Sequence, residues 1–481
     1  MPNIKIFSAL YFILCISLPT LLLPSCEERL TSDGSLGIVF SEDTVFFDTV
    51  FTTAGSSTHR VMLYNPNREA VMIHSVRLET GDAFIVNFDG EQNLSLVREQ
   101  KLSGGDSLFI FVRADIDPTN STNPLLVEDK LLLSVGDHTE TLLLQAYGWD
   151  IEVWEKKVIR TDLTLTPQKP YLIRDYLYID SAATLTIPAG CHLFMHDTAQ
   201  IACYGSLIIT GTREAPVRIQ SDRLDNLFPH IPYLYVGGRW DGLYLVRPDS
   251  ALLDNVEILS GNIGLYVLGS GKEHITVLNS RIHNHSLYGM VIQDADALIA
   301  NTEISNCAQY CAYLMGGRHE FVHSTIASYF NSTRYAIQTT ARVDSMAPLY
   351  INNLSKRHRP TELVFVNSVL AGAEQNSLML ATPLPQYYTG ELSHSFLQTD
   401  TMRGPYSHDN AYGTRKDTVF VNTFYGDYDH YYDFRLDSVS PARDIADSTV
   451  ARRFPLDRFD NDRFADGKPD AGCYEWHDTE H

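Results

Sequence analysis

The stretch that decides the fold is residues 252–370, which begins LLDNVEILSGNIGLYVLGSGKEHITVLNSRIH at residues 252–283. One short pattern returns along it: a polar residue, Asn in four copies and His in one, stands three positions before Ile or Leu. The aliphatic residues that end the copies are separated by 24, 22, 22 and 44 positions. A fixed period of this size predicts stacked supersecondary units. The five copies are residues 255–258, 279–282, 301–304, 323–326 and 367–370.

Each copy carries a second apolar residue five positions before its Ile or Leu, and another short apolar run follows most copies. No repeat contains the 3.6-residue periodicity that a helix pair requires, so helical repeats are excluded. We therefore predict coils of parallel strands stacked about 4.8 Å apart, with the recurrent Asn side chains forming a ladder of amides. The second apolar residues are Leu253, Val277, Ile299, Phe321 and Phe365.

These repeats resemble the right-handed parallel β-helix of the pectin-lyase-like superfamily, which carries comparable Asn ladders. Residues 184–219 are similar to the opening coils of secreted β-helix proteins, and residues 433–475 are similar to their closing segments. The resemblance implies a β-helix over residues 151–440 and a capping segment over residues 441–481. Such a cap would cover the apolar end of the last coil.

Residues 36–150 contain short alternating or apolar runs separated by Gly, Asn, Asp and Pro, which predict six or seven strands of an antiparallel sandwich. The segments YNPN at residues 64–67 and SGGDSL at residues 103–108 resemble the immunoglobulin-like domains of Hydin-type proteins. That resemblance implies a spacer or a binding module. The predicted fold is therefore all-β: an N-terminal immunoglobulin-like β-sandwich followed by a right-handed parallel β-helix solenoid.

The composition limits the classes of partner. The chain has 481 residues, 44% of them hydrophobic, which is typical of a globular protein with a large core. Its formal net charge of −22 argues against nucleic acid or an anionic membrane surface as a general partner, because both would repel it.

Residues 1–25 read as an export signal: Lys5 is followed by a mostly apolar run and then by LPSC at residues 23–26. This ending resembles a bacterial lipobox, with Pro24 as a departure, and implies that Cys26 is acylated and anchors the protein in a membrane. Residues 26–35 would be a tether, whose acidic start resembles the surface-export signal of Bacteroidota-type lipoproteins. The implied location is the outer membrane, on either its surface or its periplasmic side. A membrane-spanning segment is the competing interpretation.

Five cysteines remain beyond Cys26, an odd number that cannot pair completely. Cys307 and Cys311 could close a small loop, but without a second Cys or His pair their spacing does not define a zinc site. Buried free thiols are the alternative. The five are Cys191, Cys203, Cys307, Cys311 and Cys473.

Two segments are candidates for ligand binding. An aromatic insertion at residues 222–239 could stack on a sugar ring, or it could simply pack over the side of the solenoid. A basic run could pair with the carboxylates of an anionic glycan, or it could be a solvated loop. The basic run lies where the period is lost, either because one coil carries a long excursion or because one coil has diverged. The candidate residues are Phe228, His230, Tyr233, Tyr235, Lys356, Arg357, His358 and Arg359.

Catalytic motifs of β-helix lyases and hydrolases are absent: there is no Asn-Thr-Asp with a following Asp-Asp pair, no Gly-His-Gly and no Arg-Ile-Lys. The nearest candidates are Arg281, His283 and His285, where two His at i and i+2 share one face of an extended segment. No third ligand is evident, so we assign no metal site, and a column of polar turn residues is the alternative. No cofactor is assigned either, since the Asp460-Asn461-Asp462 cluster lacks the Gly and Glu of a calcium-binding EF-hand loop.

These observations predict a lipid-anchored cell-envelope protein that binds a glycan or a partner protein without catalysis. The alternative is a polysaccharide lyase or glycoside hydrolase acting on an acidic glycan, and a second alternative is an accessory subunit of an outer-membrane assembly. An enzyme should bring acidic or basic side chains together in a groove along one sheet, whereas a binding protein should present an aromatic or polar plateau.

Overall fold

The computed structural model describes residues 30, 37–52, 54–228, 231–329, 347–354, 357–381, 385–399, 407–423 and 432–478. The contacts divide the chain between Trp149 and Asp150 into two compact units. In the described part, regular structure is nearly all β-strand, with one short α-helix at Ser448–Ala451 and 3₁₀ turns at Leu94–Leu96, Tyr233–Tyr235 and Pro385–Tyr387. No helix among the described residues is long and apolar enough to cross a membrane.

The first unit is an immunoglobulin-like β-sandwich of two sheets, with strand orders β1-β3-β7-β5 and β2-β9-β8-β4-β6. The core follows from the alternation of side chains along each strand, in which successive residues point to opposite faces. Along β9, for example, Leu142, Leu144 and Ala146 point inward and are buried, and the residues between them face outward. The strands are β1 (Val39–Phe40), β2 (Thr44–Phe51), β3 (His59–Tyr64), β4 (Val71–Leu78), β5 (Phe84–Phe88), β6 (Gln100–Leu102), β7 (Ser107–Ala114), β8 (Leu125–Val135) and β9 (His138–Trp149).

One pairing in this unit differs from the prediction of an antiparallel domain. Strand β2 pairs with β9 in parallel, from Thr44 opposite Leu143 to Phe51 opposite Trp149. Alternation along a strand fixes which side chains face the core, but it does not fix the direction of the neighbouring strand.

The second unit is a parallel β-helix. Its strands are β10 (Glu152–Ile159), β11 (Leu163–Thr164), β12 (Tyr171–Ile179), β13 (Thr184–Pro188), β14 (His192–Met195), β15 (Gln200–Cys203), β16 (Ser206–Thr210), β17 (Val217–Ser221), β18 (Asn226–Phe228), β19 (Ile231–Pro232), β20 (Gly242–Val246), β21 (Ser250–Asp254), β22 (Val256–Leu259), β23 (Ile263–Leu268), β24 (His274–Leu278) and β25 (Arg281–His283). They continue as β26 (Tyr288–Gln293), β27 (Asp296–Ala300), β28 (Glu303–Ser305), β29 (Tyr310–Met315), β30 (Gly317–Val322), β31 (Thr325–Ser328), β32 (Leu349–Asn352), β33 (Thr361–Val366), β34 (Val369–Gly372), β35 (Leu378–Ala381), β36 (Tyr388–Ser393), β37 (Phe396–Leu397), β38 (Ser407–His408), β39 (Ala411–Tyr412), β40 (Phe420–Asn422) and β41 (Asp433–Leu436).

Each regular coil contributes one strand to each of three faces. Face A is the ten-stranded sheet β11-β13-β16-β21-β24-β27-β30-β33-β36-β38. Faces B and C lie in the eighteen-stranded sheet: face B contains β17, β22, β25, β28, β31 and β34, and face C contains β15, β20, β23, β26, β29 and β32. Within each face the pairing is parallel, so the same position of successive coils lies one above another.

The predicted interior columns are confirmed. On face B, Ile258, Ile282, Ile304 and Ile326 are successive register partners, and each is fully buried. Leu370 follows Ile326 directly, although they are 44 positions apart, so a single coil carries the long excursion. On face A the second column is equally continuous, and it consists of Leu253, Val277, Ile299, Phe321 and Phe365.

The corner between faces A and B explains the recurrent Asn. The residue at this corner has a left-handed backbone, with φ between 46° and 51°, in all five copies of the repeat. Among residues with a side chain, Asn tolerates this conformation best, and Gly is the only better choice. The predicted amide ladder is present only in part: Asn301 donates to Asn279 over 3.1 Å, but Asn279 donates to the Asp254 carboxylate over 2.8 Å and not to Asn255.

The segment predicted to cap the last coil contacts the side of the solenoid. We call residues 444–476 the C-terminal strap. The Asp447 amide donates to the Asn367 side chain over 2.7 Å, and Arg458 lies 3.3 Å from the Glu257 carboxylate several coils earlier. The chain then turns back, so that Cys473 and Gly472 donate to Thr325 and to the Asn367 carbonyl. The strap therefore covers faces A and B near their shared corner.

Candidate ligand-binding face

Face C presents a column of tyrosines to the outside. Along each of its strands, alternate residues enter the core, as Leu243, Leu265, Met290, Ala312 and Leu349 do. The residues that follow them therefore point outward, because successive side chains of a strand lie on opposite faces. These outward register partners are Tyr244, Tyr266, Val291, Tyr313 and Tyr350.

A second outward row widens this column. Tyr288 and Tyr310 are register partners whose rings stack with centroids 6.2 Å apart and planes inclined by 12°. Tyr310 also lies 4.6 Å from Tyr350, and Tyr313 stacks on Tyr350 at 5.1 Å. All are half-buried, with one side of each ring against its neighbours. We call the set Tyr244, Tyr266, Tyr288, Tyr310, Tyr313 and Tyr350 the tyrosine plateau.

Neighbouring polar groups orient several of the phenol hydroxyls. Tyr244 donates to the Asp241 carboxylate over 3.0 Å, and the Asn352 amide donates to the Tyr313 hydroxyl over 2.9 Å. Burial raises the pKa of Tyr310 to about 12 and raises the pKa of Tyr244 further, with the Asp241 charge adding to the effect. Tyr244 and Tyr310 therefore stay neutral at physiological pH and serve as hydrogen-bonding groups.

The strands that carry the plateau contain no charged residue. In β20, β23, β26, β29 and β32 there is no Asp, Glu, Lys, Arg or His. The rest of the outward surface of these strands consists of aliphatic side chains, Met, Gln and Asn. Strands without charge are unusual in a chain with 59 acidic and 37 basic residues. The plateau therefore offers stacking and hydrogen bonding without ion pairing.

A pocket of about 300 Å³ lies beside the first coils of the same face. The rings of Tyr178 and Tyr204 meet edge to face across it, 6.4 Å apart, and Asp180 and Ser181 supply polar groups. Tyr178 is the register partner of Ala202, which in turn pairs with Tyr244. The pocket therefore lies along the same outward row as the plateau.

The aromatic insertion lies over the corner between faces B and C. Residue Phe228 ends β18, but its side chain and the whole of His230 lie outside the described residues. Tyr233 and Tyr235 lie in a 3₁₀ turn, and the Arg223 guanidinium sits 4.0 Å from the centre of the Tyr233 ring. The Gly238 amide donates to the Gly261 carbonyl over 3.0 Å, which holds the insertion against the next coil.

The basic run lies at the corner between faces C and A. Lys356 is outside the described residues, and Arg357 is exposed. His358 bonds Asp294 over 2.8 Å, and the Arg359 guanidinium bonds Asp296 over 3.1 Å. Two of the four basic side chains therefore already have carboxylate partners of this chain.

Of the catalytic candidates, Arg281 lies on face B beneath the strap, and His283 lies on the same face against the rings of Tyr432 and Phe434. Arg281 is the register partner of Glu257 and Glu303, and it bonds Glu303 over 2.9 Å. His283 bonds the Ser305 hydroxyl over 2.7 Å and is buried, and burial together with Arg281 holds its pKa well below the usual value. His285 is on the interior side, where its ring bonds the Ile258 carbonyl over 3.1 Å. The two imidazoles do not share a face.

Glu303 is the centre of a buried charge network. It accepts hydrogen bonds from Arg281, from Ser305 over 2.5 Å, and from the strap residue Tyr474 over 2.5 Å. Burial by itself would raise the pKa of Glu303, but the positive charges of Arg281 and Arg458 outweigh the effect of burial and lower this pKa to about 2. With only 2% of its side chain exposed, this carboxylate has a structural partner for each of its oxygens.

Cys26, the predicted lipidation site, lies outside the described residues. The five cysteines that follow Cys26 in the sequence are buried and unpaired, including Cys307 and Cys311. None of the plateau tyrosines is among the residues predicted from the sequence, although Tyr244, Tyr266, Tyr288 and Tyr310 recur at steps of 22 residues. That spacing was the available signal, and it equals the commonest step of the repeat.

Fold and site together define a right-handed parallel β-helix protein with an aromatic outer face. The family described as right-handed beta helix region matches residues 241–357, the coils that carry the tyrosine plateau. A comparison with curated proteins gave no match.

Three solved structures show local likeness. A Vibrio cholerae VesB protease is 10% identical, with a TM-score of 0.17, 23% of this chain covered and 31% of that chain. An ASH/PapD-like domain of human CEP192 is 9% identical, with a TM-score of 0.18, 24% of this chain covered and 87% of that domain. A family 123 glycoside hydrolase from Clostridium perfringens is 7% identical, with a TM-score of 0.19, 24% of this chain covered and 30% of that chain. At these scores the likenesses carry no argument about function.

Proposed function

We propose that this chain is a lipid-anchored protein of the outer membrane whose β-helix binds a neutral glycan along the tyrosine plateau, without catalysis. The observation that supports the glycan-binding proposal is the set of six half-buried phenol rings, a packed group of four beside a pair, on strands that contain no charged residue. The anchoring proposal depends separately on the lipobox-like residues 23–26.

The plateau has the chemistry that a sugar chain requires. Phenol rings offer flat apolar surfaces for the C–H faces of pyranose rings, and their hydroxyls bond sugar hydroxyls. Two χ angles per tyrosine, held by stacked neighbours, leave little conformational entropy to lose on binding. Because the coils repeat at the inter-strand spacing, the face is long and rigid enough for several sugar units.

The absence of charge from these strands favours a neutral glycan over an acidic one. A uronate polymer would need cations to compensate for its charge on a protein with a net charge of −22. The alternative of an acidic substrate depended on the basic run and on Arg281 with His283. His358 and Arg359 bond Asp294 and Asp296, Arg281 bonds Glu303 beneath the strap, and His283 packs against the rings of Tyr432 and Phe434.

Glycan binding can be tested by affinity electrophoresis and calorimetry with neutral polysaccharides (β-glucan, xylan and mannan) and acidic ones (polygalacturonate and alginate). We expect saturable binding of at least one neutral polymer, with no new reducing ends or unsaturated products. The double variant Tyr313→Ala/Tyr350→Ala should bind at least about tenfold more weakly, as expected for central aromatic contacts.

Tyr64→Ala is the matched control, because Tyr64 is an exposed tyrosine of the first unit, and it should bind like the wild type. Binding of acidic polymers alone, or equal binding by the double variant, would refute the glycan-binding proposal. The anchor is tested separately by metabolic labelling with palmitate, which should label the wild type and leave Cys26→Ala unlabelled.

A further inference from the structure

We infer that the last coils hold a divalent transition-metal site formed by His394, His408, Asp409 and Asp447. One ligand atom from each of the first three side chains lies within 4.8 Å of the other two, and no other such group of three is present among the described residues. The Nε2 of His394 lies 4.0 Å from Oδ2 of Asp447, which belongs to the strap.

The backbone brings these residues together for a specific reason. His394 and Asp409 follow the register partners Ser393 and His408, so they occupy the corner position that carries Asn in earlier coils. Both have the left-handed backbone of that corner, with φ of 49° and 55°. The last two residues of this corner column are therefore His394 and Asp409, an imidazole and a carboxylate in successive coils. The His408 ring lies 6.2 Å from the His394 ring.

Asp447 has one oxygen available for a metal. Its Oδ1 caps the helix Ser448–Ala451 by accepting from the Thr449 amide over 2.5 Å and the Val450 amide over 3.0 Å. These bonds fix the carboxylate and leave Oδ2 directed at His394. The earlier corner residue Asn367 bonds His323 over 2.9 Å, whereas His394 faces a carboxylate and a second imidazole.

The donor set selects the class of metal. Two imidazoles with two carboxylates suit Zn²⁺ and neighbouring borderline ions, whereas Ca²⁺ and Mg²⁺ prefer oxygen ligands alone. Ligand atoms of a tetrahedral zinc lie about 3.4 Å apart, given Zn–N bonds of about 2.0–2.1 Å. Contraction from 4.8 Å needs only side-chain rotation, which is available because His408 and Asp409 are 53% and 70% exposed. Two carboxylates would balance the charge of the ion.

The test uses the tag-free full chain, stripped with EDTA and titrated with ZnCl₂ by calorimetry. We expect one ion per chain, at least about tenfold weaker binding by His394→Ala and by His408→Ala, and no comparable binding of CaCl₂. His274→Ala is the matched control, since His274 is an exposed histidine of face A outside this cluster, and it should bind like the wild type.

Two further measurements sharpen the assignment. Cu²⁺ bound in place of Zn²⁺ should show nitrogen hyperfine splitting from two imidazoles, and the splitting should be lost in His394→Ala. Asp447→Asn keeps the helix cap, because Asn caps as well as Asp, and it should weaken Zn²⁺ binding. Absence of saturable zinc binding, binding unchanged in the two histidine variants, or unchanged affinity in Asp447→Asn would overturn the four-ligand site.

Discussion

The Tyr474 hydroxyl donates a 2.5 Å hydrogen bond to Glu303, which lies 171 positions earlier in the chain. Glu303 also pairs with Arg281 over 2.9 Å, and Arg458 of the strap donates to the Tyr474 hydroxyl over 3.1 Å. A single buried carboxylate therefore joins face B of the solenoid to the strap that covers it. Because the Glu303 carboxylate is buried, its loss leaves the Arg281 charge without its closest counterion and the Tyr474 hydroxyl without a charged acceptor.

Glu303→Gln should lower the free energy of unfolding by about 3 kcal/mol at neutral pH, since it removes the carboxylate that pairs with Arg281 and the charged acceptor of the Tyr474 hydroxyl, while Arg458 keeps its ion pair with Glu257. Tyr474→Phe removes one hydrogen bond to a charged acceptor and should cost about 1.5–3 kcal/mol. Urea unfolding followed by the fluorescence of buried Trp240 measures both.

The control is Glu362→Gln, whose half-exposed carboxylate lies 3.5 Å from Arg318 and should contribute less than about 1 kcal/mol. Equal losses in Glu303→Gln and Glu362→Gln would contradict this account.

The contribution of Glu303 should disappear in acid. Its pKa is about 2 in the folded protein, below the ordinary value of 4.5, so the folded state favours the ionised form. The resulting stability is fully present above the ordinary pKa and is lost as the pH falls toward the folded-state pKa. The difference in unfolding free energy between the wild type and Glu303→Gln should therefore be constant from pH 7 to pH 6 and lose roughly half its size by pH 3. A difference that stays constant down to pH 3 would be inconsistent with a depressed pKa.

The coils could be predicted from the sequence because their geometry repeats. A column such as Ile282, Ile304 and Ile326 records one interior position at each turn, and the parallel register converts its constant spacing into vertical contact. The same periodicity predicted a continuous ladder of Asn amides at the corner between faces A and B, but this ladder forms only in part. Asn255 and Asn279 recur because both adopt a left-handed backbone, and their amides bond Asp254.

The binding face and the strap could not be predicted in this way. Tyr266 and Tyr288 are 22 positions apart, but the register places Tyr288 beside Ile263 and Tyr266 beside Val291, so two rows form instead of one. The strap has no period, and contacts such as that between Tyr474 and Glu303 join distant segments through side chains alone. The 22-residue step of the tyrosines is visible in the sequence, but the division into two rows depends on the register and the strap contacts depend on side chains, and spacing records neither.

Ile304→Ala should lower the free energy of unfolding by about 2–5 kcal/mol, because the side chain is fully buried between Ile282 and Ile326 and its removal leaves a cavity. Ile304→Val should cost about 0.5–1.5 kcal/mol. Val439→Ala is the control: this residue is 72% exposed and should change stability by less than about 0.5 kcal/mol. Urea unfolding measures all three, and an Ile304→Ala loss as small as that of Val439→Ala would contradict a closely packed interior column.

At the corner between faces A and B, the contribution of the left-handed backbone to stability can be measured separately from that of side-chain hydrogen bonds. Asn255 has φ of 51°, and its side chain donates to the neighbouring Asp254 carboxylate over 3.0 Å. Asn255→Gly should therefore be nearly neutral, because glycine has no Cβ to strain the left-handed backbone. Asn255→Ala should cost about 1–2 kcal/mol, because alanine keeps the Cβ but lacks the polar side chain whose local hydrogen bond lets Asn tolerate this conformation.

At Asn367 glycine should not be neutral. This fully buried side chain donates to the Asp447 carbonyl over 3.0 Å and accepts from the Asp447 amide over 2.7 Å, so it ties the strap to the corner. Asn367→Gly keeps the backbone conformation but leaves these two groups of Asp447 without their partner, at about 1–3 kcal/mol for each buried group. Its unfolding free energy should fall by clearly more than that of Asn255→Gly in the same urea titration. If the two glycine variants are equally stable, the Asn367 side chain serves only the turn, and the strap is held by its other contacts.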